Sequence, residues 1–200
     1  MAVLMASFLI FGYSGVLNGC DFAGSQSSAT DQLDQQITKY AAAVTTDRKD
    51  VAAWTSLAEN YVLRANQQAQ GSDAQTADWR QAVIAYGRAD KLLAKQKGAA
   101  AKQQRLDTLE QLVGVHLYLQ DYQSAVTAYG KITGLRPKDA QSFFDMGTVA
   151  INAGDTKTAL LAFTRFLELD PTSPDAPAVK DWMQQNAPSP SPSPTKGSGQ

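Results

Sequence analysis

The sequence predicts an all-α protein, a solenoid of antiparallel helix pairs, and three observations predict it. Ala125 and Ala159, Tyr129 and Phe163, and Pro137 and Pro171 each stand 34 residues apart, a fixed period of the kind that stacked supersecondary units impose. Apolar side chains recur at i, i+3 and i+4, which places them on one stripe of a helix. Gln120-Asp121 and Asn152-Ala153-Gly154-Asp155 carry turn chemistry between such stripes, and turns this short reverse the chain, so neighbouring helices run antiparallel.

The elements follow in order. Between Asp31 and Thr46, Leu33, Ile37, Tyr40 and Val44 share one helical face, which predicts an N-terminal half unit. A first full unit, 51–96, places Trp54, Leu57, Ala58 and Tyr61 on its first helix and Ala82, Tyr86 and Ala89 on its second. The stretch ANQQAQGSDAQTAD between them reads as a polar loop. The second unit, 106–139, has Leu109, Leu112, Val113 and His116, then Ala125, Tyr129 and Pro137. The third, 140–173, has Phe143, Met146, Gly147 and Ala150, then Ala159, Phe163 and Pro171. In each unit a small residue lets the paired helix approach while an aromatic one turn later fills the remaining space. A helix over 176–186 with Val179, Trp182 and Met183 on one face caps the exposed apolar flank of the last unit.

This pattern resembles the tetratricopeptide repeat, whose unit reads W-x2-L-G-x2-Y in the first helix and A-x3-F with a closing Pro in the second. The resemblance implies a right-handed superhelix of about three units with flanking helices. Relative to the family spacing the first unit carries twelve extra residues between Tyr61 and Ala82, and about nine more stand around Lys97-Gly98-Ala99. Ile132 and Phe166 occupy positions where the family prefers a small residue, which implies wider spacing between those units.

The resemblance also implies a concave groove lined by the first helices. Carried onto this sequence, the groove positions are Thr55, Glu59, Val62 and Leu63 in the first unit; Asp107, Glu110, Leu117 and Tyr118 in the second; and Gln141, Phe144, Thr148, Ile151 and Asn152 in the third. None is Lys or Arg, so the Lys and Asn clamp with which some family members grip a C-terminal carboxylate has no counterpart. The implied partner is another protein or an extended peptide, apolar or basic, with Tyr118 and Phe144 as its aromatic anchors. The alternative is that Leu63, Leu117 and Ile151 pack against neighbouring helices and the chain is a structural subunit or assembly factor; association of copies stays open.

Composition narrows the function classes. Lys plus Arg number 18 against 19 Asp plus Glu, so no broad positive field recruits nucleic acid. One cysteine, Cys20, and one histidine, His116, exclude an internal disulfide and argue against a metal site, a cofactor or an acid–base–nucleophile set. An enzyme is not expected. His116 falls on the tyrosine position of its unit and reads as a packed side chain; Asp145 and Asp155 read as solvated or capping carboxylates.

From Met1 to Cys20 there is no Asp, Glu, Lys, Arg or His, so the segment is apolar enough to enter a membrane. Leu17-Asn18-Gly19-Cys20 resembles the lipobox of bacterial lipoproteins, which implies cleavage before Cys20, a lipid on that residue and a place on the extracytoplasmic face. The segment carries no Lys or Arg and has Asn18 inside the motif, so an uncleaved anchor and a plain cleaved signal remain as alternatives. Residues 21–29 read as a flexible tether leading to a repeat domain at 30–187. PSPSPSPTKGSGQ, at 188–200, reads as an extended, unpacked tail.

Overall fold

The computed structural model describes residues 29–187. The apolar segment with Cys20, most of the tether and the Pro/Ser tail lie outside the described residues. Eight helices follow in order: α1 Ala29–Thr46, α2 Val51–Gln67, α3 Asp73–Leu93, α4 Ala99–Tyr118, α5 Tyr122–Leu135, α6 Ala140–Asn152, α7 Thr156–Leu169 and α8 Ala176–Asn186. The described residues contain no strand. Each helix makes its main contacts with its neighbours in sequence, from α1·α2 through α7·α8, so stability passes along the chain from one interface to the next. Among the described residues no helix is long and apolar enough to cross a membrane.

Local chemistry places the helix starts. Asp50, Ser72, Asp121 and Asp155 each accept a hydrogen bond from the backbone N–H three residues on, at Ala53, Gln75, Ser124 and Thr158. These caps satisfy donors that the first turn would leave unpaired. Gly98 opens α4 at φ 106°, a conformation that a side chain resists.

The small residues sit where the helices approach. Ala58, Ala82, Ala125, Ala150 and Ala159 are fully buried. At Gly147 the constraint is visible atom by atom, because a Cβ there would lie 2.4 Å from Phe163 Cε1. Ile132 and Phe166, large where the family has small residues, are themselves buried at 2% and 3% exposure. Two apolar clusters result, one from α1 through α5 and one from α4 through α8, and Leu117 and Tyr129 touch both.

The extra residues of the first unit differ from expectation. Rather than a polar loop, most of them extend α2 and α3, to 17 and 21 residues, and only 68–72 connect the two. Side-chain pairing explains why the extension stays helical. Arg64 forks onto the buried Asp78 at 2.7 and 2.8 Å and reaches Asp34 on α1 at 2.5 Å, while Gln68 Nε2 donates to Asp78 at 2.9 Å. Gln75 donates to the Ala65 carbonyl and accepts from the Gly71 N–H, so the turn is tied to both helix ends.

A second buried carboxylate joins three helices. Asp90 on α3, 2% exposed, accepts from Arg105 Nε of α4 at 2.7 Å and from Lys131 Nζ of α5 at 2.6 Å. Burial disfavours its charge, but the hydrogen bonds from Lys131 and Arg105 outweigh that and hold its carboxyl below the usual carboxylate range.

Two outcomes follow for stability. Gly147→Ala drives a methyl into the Phe163 ring and should destabilise the fold by about 1–3 kcal/mol, read as a lower denaturant midpoint with the slope unchanged. Asp90→Ala leaves two cations facing a buried gap; both reach solvent, so the loss should sit near the lower end of the roughly 3–5 kcal/mol typical of broken buried pairs. Because the folded carboxyl is depressed, its contribution is present above the unfolded value near 4 and is lost as pH falls through the folded value. The gap between the parent and Asp90→Ala melting temperatures should therefore narrow in acid; a gap independent of pH contradicts the charge-based account.

Candidate functional site

The positions inferred for the groove lie on α2, α4 and α6, the first helices of the three pairs, and the structure sorts them into different roles. Glu59, Asp107, Glu110, Gln141 and Thr148 are exposed. Leu63 and Ile151 are also open to solvent, at 51% and 38%, a state that leaves apolar surface available to a partner. Leu117 is half-buried and packs against both apolar clusters, so the packing alternative holds for this residue alone of the three leucine and isoleucine positions.

The two aromatic anchors are engaged on different helices. Tyr118 is 69% exposed, yet one ring face lies flat on Trp79 of α3, with centroids 4.7 Å apart and planes 6° from parallel. Phe144 is half-buried, tilted against Phe163 and Phe166 of α7 at 6.1 and 5.2 Å. The signal for Phe144 stood in the sequence: the large Phe166, in place of a small residue, supplies the surface against which a second ring packs.

Electrostatics mark a residue that sequence reasoning treated as solvated. Asp145 on α6 is half-buried, accepts a 2.8 Å hydrogen bond from Gln141, and has no cationic partner among the described residues. Burial, with a smaller repulsion from Asp139, raises its carboxyl above the ordinary value. Burial likewise raises Glu59. Tyr129 is pushed up to about 12, first by burial and then by the charges of Asp145 and Glu110, which places its phenol in the field of both carboxylates. On the first helix pair, Glu59 acts in the same sense on the buried Tyr86. Glu110 is held at 2.7 Å by Arg136 from the end of α5, a solvent-accessible pair worth about 0–1 kcal/mol.

His116 is buried at 8% exposure, with Nδ1 3.3 Å from Asp121 Oδ2 but not aligned for a hydrogen bond. Burial lowers its basicity, and Asp121 opposes that only in part; the same carboxylate caps α5. Asp155 caps α7 through Thr158. Among the described residues no three His, Cys, Asp or Glu side chains stand close enough to hold a metal ion. Cys20 lies outside the described residues. The helices α2, α4 and α6 therefore present two carboxyls, Glu59 and Asp145, that partial loss of solvation raises, with the phenols of Tyr86 and Tyr129 in their field and Leu63 and Ile151 open to solvent. Chemically, that arrangement can take up a cation.

No family model matches the chain, and no curated protein does. Solved structures with a similar course of helices include MamA, 13% identical with a TM-score of 0.49, where 80% of this chain aligns with 87% of that one. Another is YrrB, described as a TPR protein with an unusual peptide-binding site, 19% identical with a TM-score of 0.49 over 78% of this chain and 72% of that one. The Cut9–Hcn1 assembly of the APC/C is 13% identical with a TM-score of 0.41, and 79% of this chain aligns with 40% of that chain. The 34-residue period, the antiparallel helix pairs and the packing of each helix on its sequence neighbours are those of a tetratricopeptide-repeat solenoid.

Proposed function

We propose that this chain is a membrane-tethered scaffold that holds a basic segment of another protein, flanked by apolar residues, against the face formed by α2, α4 and α6, and that it is not an enzyme. The observation that carries the reading is Asp145, a half-buried carboxylate with an amide neighbour but no cation. Burial disfavours its charge while the partner is absent, and a Lys or Arg side chain brought beside it removes that penalty. Leu63 of α2 and Ile151 of α6, both open to solvent, offer apolar contact. In this reading the segment Met1–Cys20 is the tether, through a lipid on Cys20 or as an uncleaved anchor, and the repeat domain works at the extracytoplasmic face of a bacterial membrane. A second reading, a structural subunit packed laterally in an envelope complex, draws on Ile84 of α3 and Leu161 of α7, exposed at 54% and 65% on second helices.

Photocrosslinking in intact cells separates the two. A benzophenone side chain at position 148, exposed on the proposed face, should capture one protein reproducibly, whereas capture only from position 161 assigns the chain to the structural class and refutes the groove. With the captured protein as ligand, Asp145→Asn should weaken binding roughly three- to tenfold, the worth of a partly exposed ion pair of about 1 kcal/mol. Binding should weaken as pH falls towards the carboxylate range, and the loss should set in above the ordinary carboxylate value near 4, because burial raises both carboxyls. A flat pH profile over that range contradicts the assignment.

A further inference from the structure

The extra length of the first pair lies at its turn end, between Tyr61 and Ala82, whereas α4 is lengthened at its start and closes at Tyr118 into a tight turn. The first pair thus projects past the turn of the second. In the step between them lies a cleft of about 560 Å³, walled by the end of α2, the 68–72 connection, the start of α3 and the residues that end α4. Of the inferred groove positions only Tyr118 lines it, and no carboxylate does, since Asp78 is taken by Arg64 and Gln68.

Its chemistry is unusual for a solenoid surface. Tyr118 presents a flat ring, braced from behind by the buried Trp79. Asn66, Gln70, Arg80 and Gln120 line the cleft with side chains that no other described residue engages, so each has donors to offer. Gln68 adds the opposite need, a buried Oε1 without a partner although its Nε2 is bound. The complementary ligand has many free carbonyls for these donors, Arg80 included, occasional N–H or hydroxyl donors and rings to lie on an aromatic plane. A tract alternating proline with serine fits: proline contributes a carbonyl but no N–H, serine contributes both donors, and aromatic surfaces take up proline rings.

The chain carries such a tract, Pro188-Ser189-Pro190-Ser191-Pro192-Ser193-Pro194, which begins after α8. That helix packs on α7, at the end of the solenoid opposite the first pair. We propose that the cleft beside Trp79 and Tyr118 receives the Pro/Ser tract of a second copy of this chain, a head-to-tail contact of the heterologous type. The acidic face stays open for another partner in this arrangement, so the proposal stands apart from the scaffold reading above.

The test uses the full-length protein in detergent and a fluorescein-labelled synthetic peptide of residues 187–200, with anisotropy as the readout. The peptide should bind, its counterpart with all four prolines changed to alanine should not, and Tyr118→Ala should weaken binding roughly tenfold, as loss of an aromatic platform does. Because Tyr118 is largely exposed, the helical circular-dichroism signal should be retained; Gln70→Ala with Gln120→Ala, both surface changes, gives an independent weakening. In sedimentation the parent should self-associate with rising concentration, and changing Pro188, Pro190, Pro192 and Pro194 to alanine should abolish it. Equal binding of the alanine peptide, indifference to the cleft variants, or a parent that does not self-associate each overturns the proposal, and Asp145→Asn, which tests the scaffold reading, should leave every one of these results unchanged.

Discussion

The close approach of paired helices at small side chains is the constraint on which the other contacts rest. At Gly147 the ring of Phe163 occupies the space a Cβ would need, and fully buried alanines at positions 58, 82, 125, 150 and 159 make the helix surfaces shallow along the solenoid. Shallow surfaces bring the backbones together, and the aromatics one turn away, Tyr86, Tyr129 and Phe163, are then drawn into the seams. Because each helix packs mainly on its sequence neighbours, an error at one seam is not absorbed by a distant core.

Ionic ties reinforce this framework where the repeat is irregular. The first pair departs from the regular length, and it is also where Asp78 and Asp90 lie buried beneath the fork of Arg64 and between Arg105 and Lys131. Apolar packing has no direction. A buried carboxylate with aimed donors does, and it favours one register between helices longer than the repeat requires. The same extension that needs such ties creates the step beside Tyr118, so an irregularity of the scaffold becomes a surface with its own chemistry.

The acidic face has a different origin. Glu59 and Asp145 owe their raised values chiefly to loss of solvation, with a smaller repulsion from Asp139 at Asp145. Glu110 is similarly placed in sequence but ends beside Arg136, so its charge is already paired. The face is thus uneven, with its least satisfied carboxylate on the third pair.

Period and stripe were enough to read the all-α class, the helix pairing and the core roles of Gly147, Ala159 and Phe163, because these depend on spacing within one unit, where 3.6 residues per turn fixes which side chains share a face. The resemblance to the repeat family, rather than this arithmetic, put Glu59, Glu110 and Gln141 on a groove surface, and all three are exposed. The arithmetic could not show that the polar stretch after Tyr61 continues two helices, since that depends on Arg64 meeting Asp34 and Asp78 across 30 and 14 residues. Nor could it separate Tyr118 from Phe144. Both occupy first-helix positions of the same kind; only the neighbours differ, Trp79 in an extended helix for one and Phe166 in a crowded seam for the other. Sequence by itself determined what each helix offers to its surroundings. Tertiary structure decided which of those offers were consumed in packing, because desolvation and ion pairing depend on groups that the chain brings together only when the pairs stack.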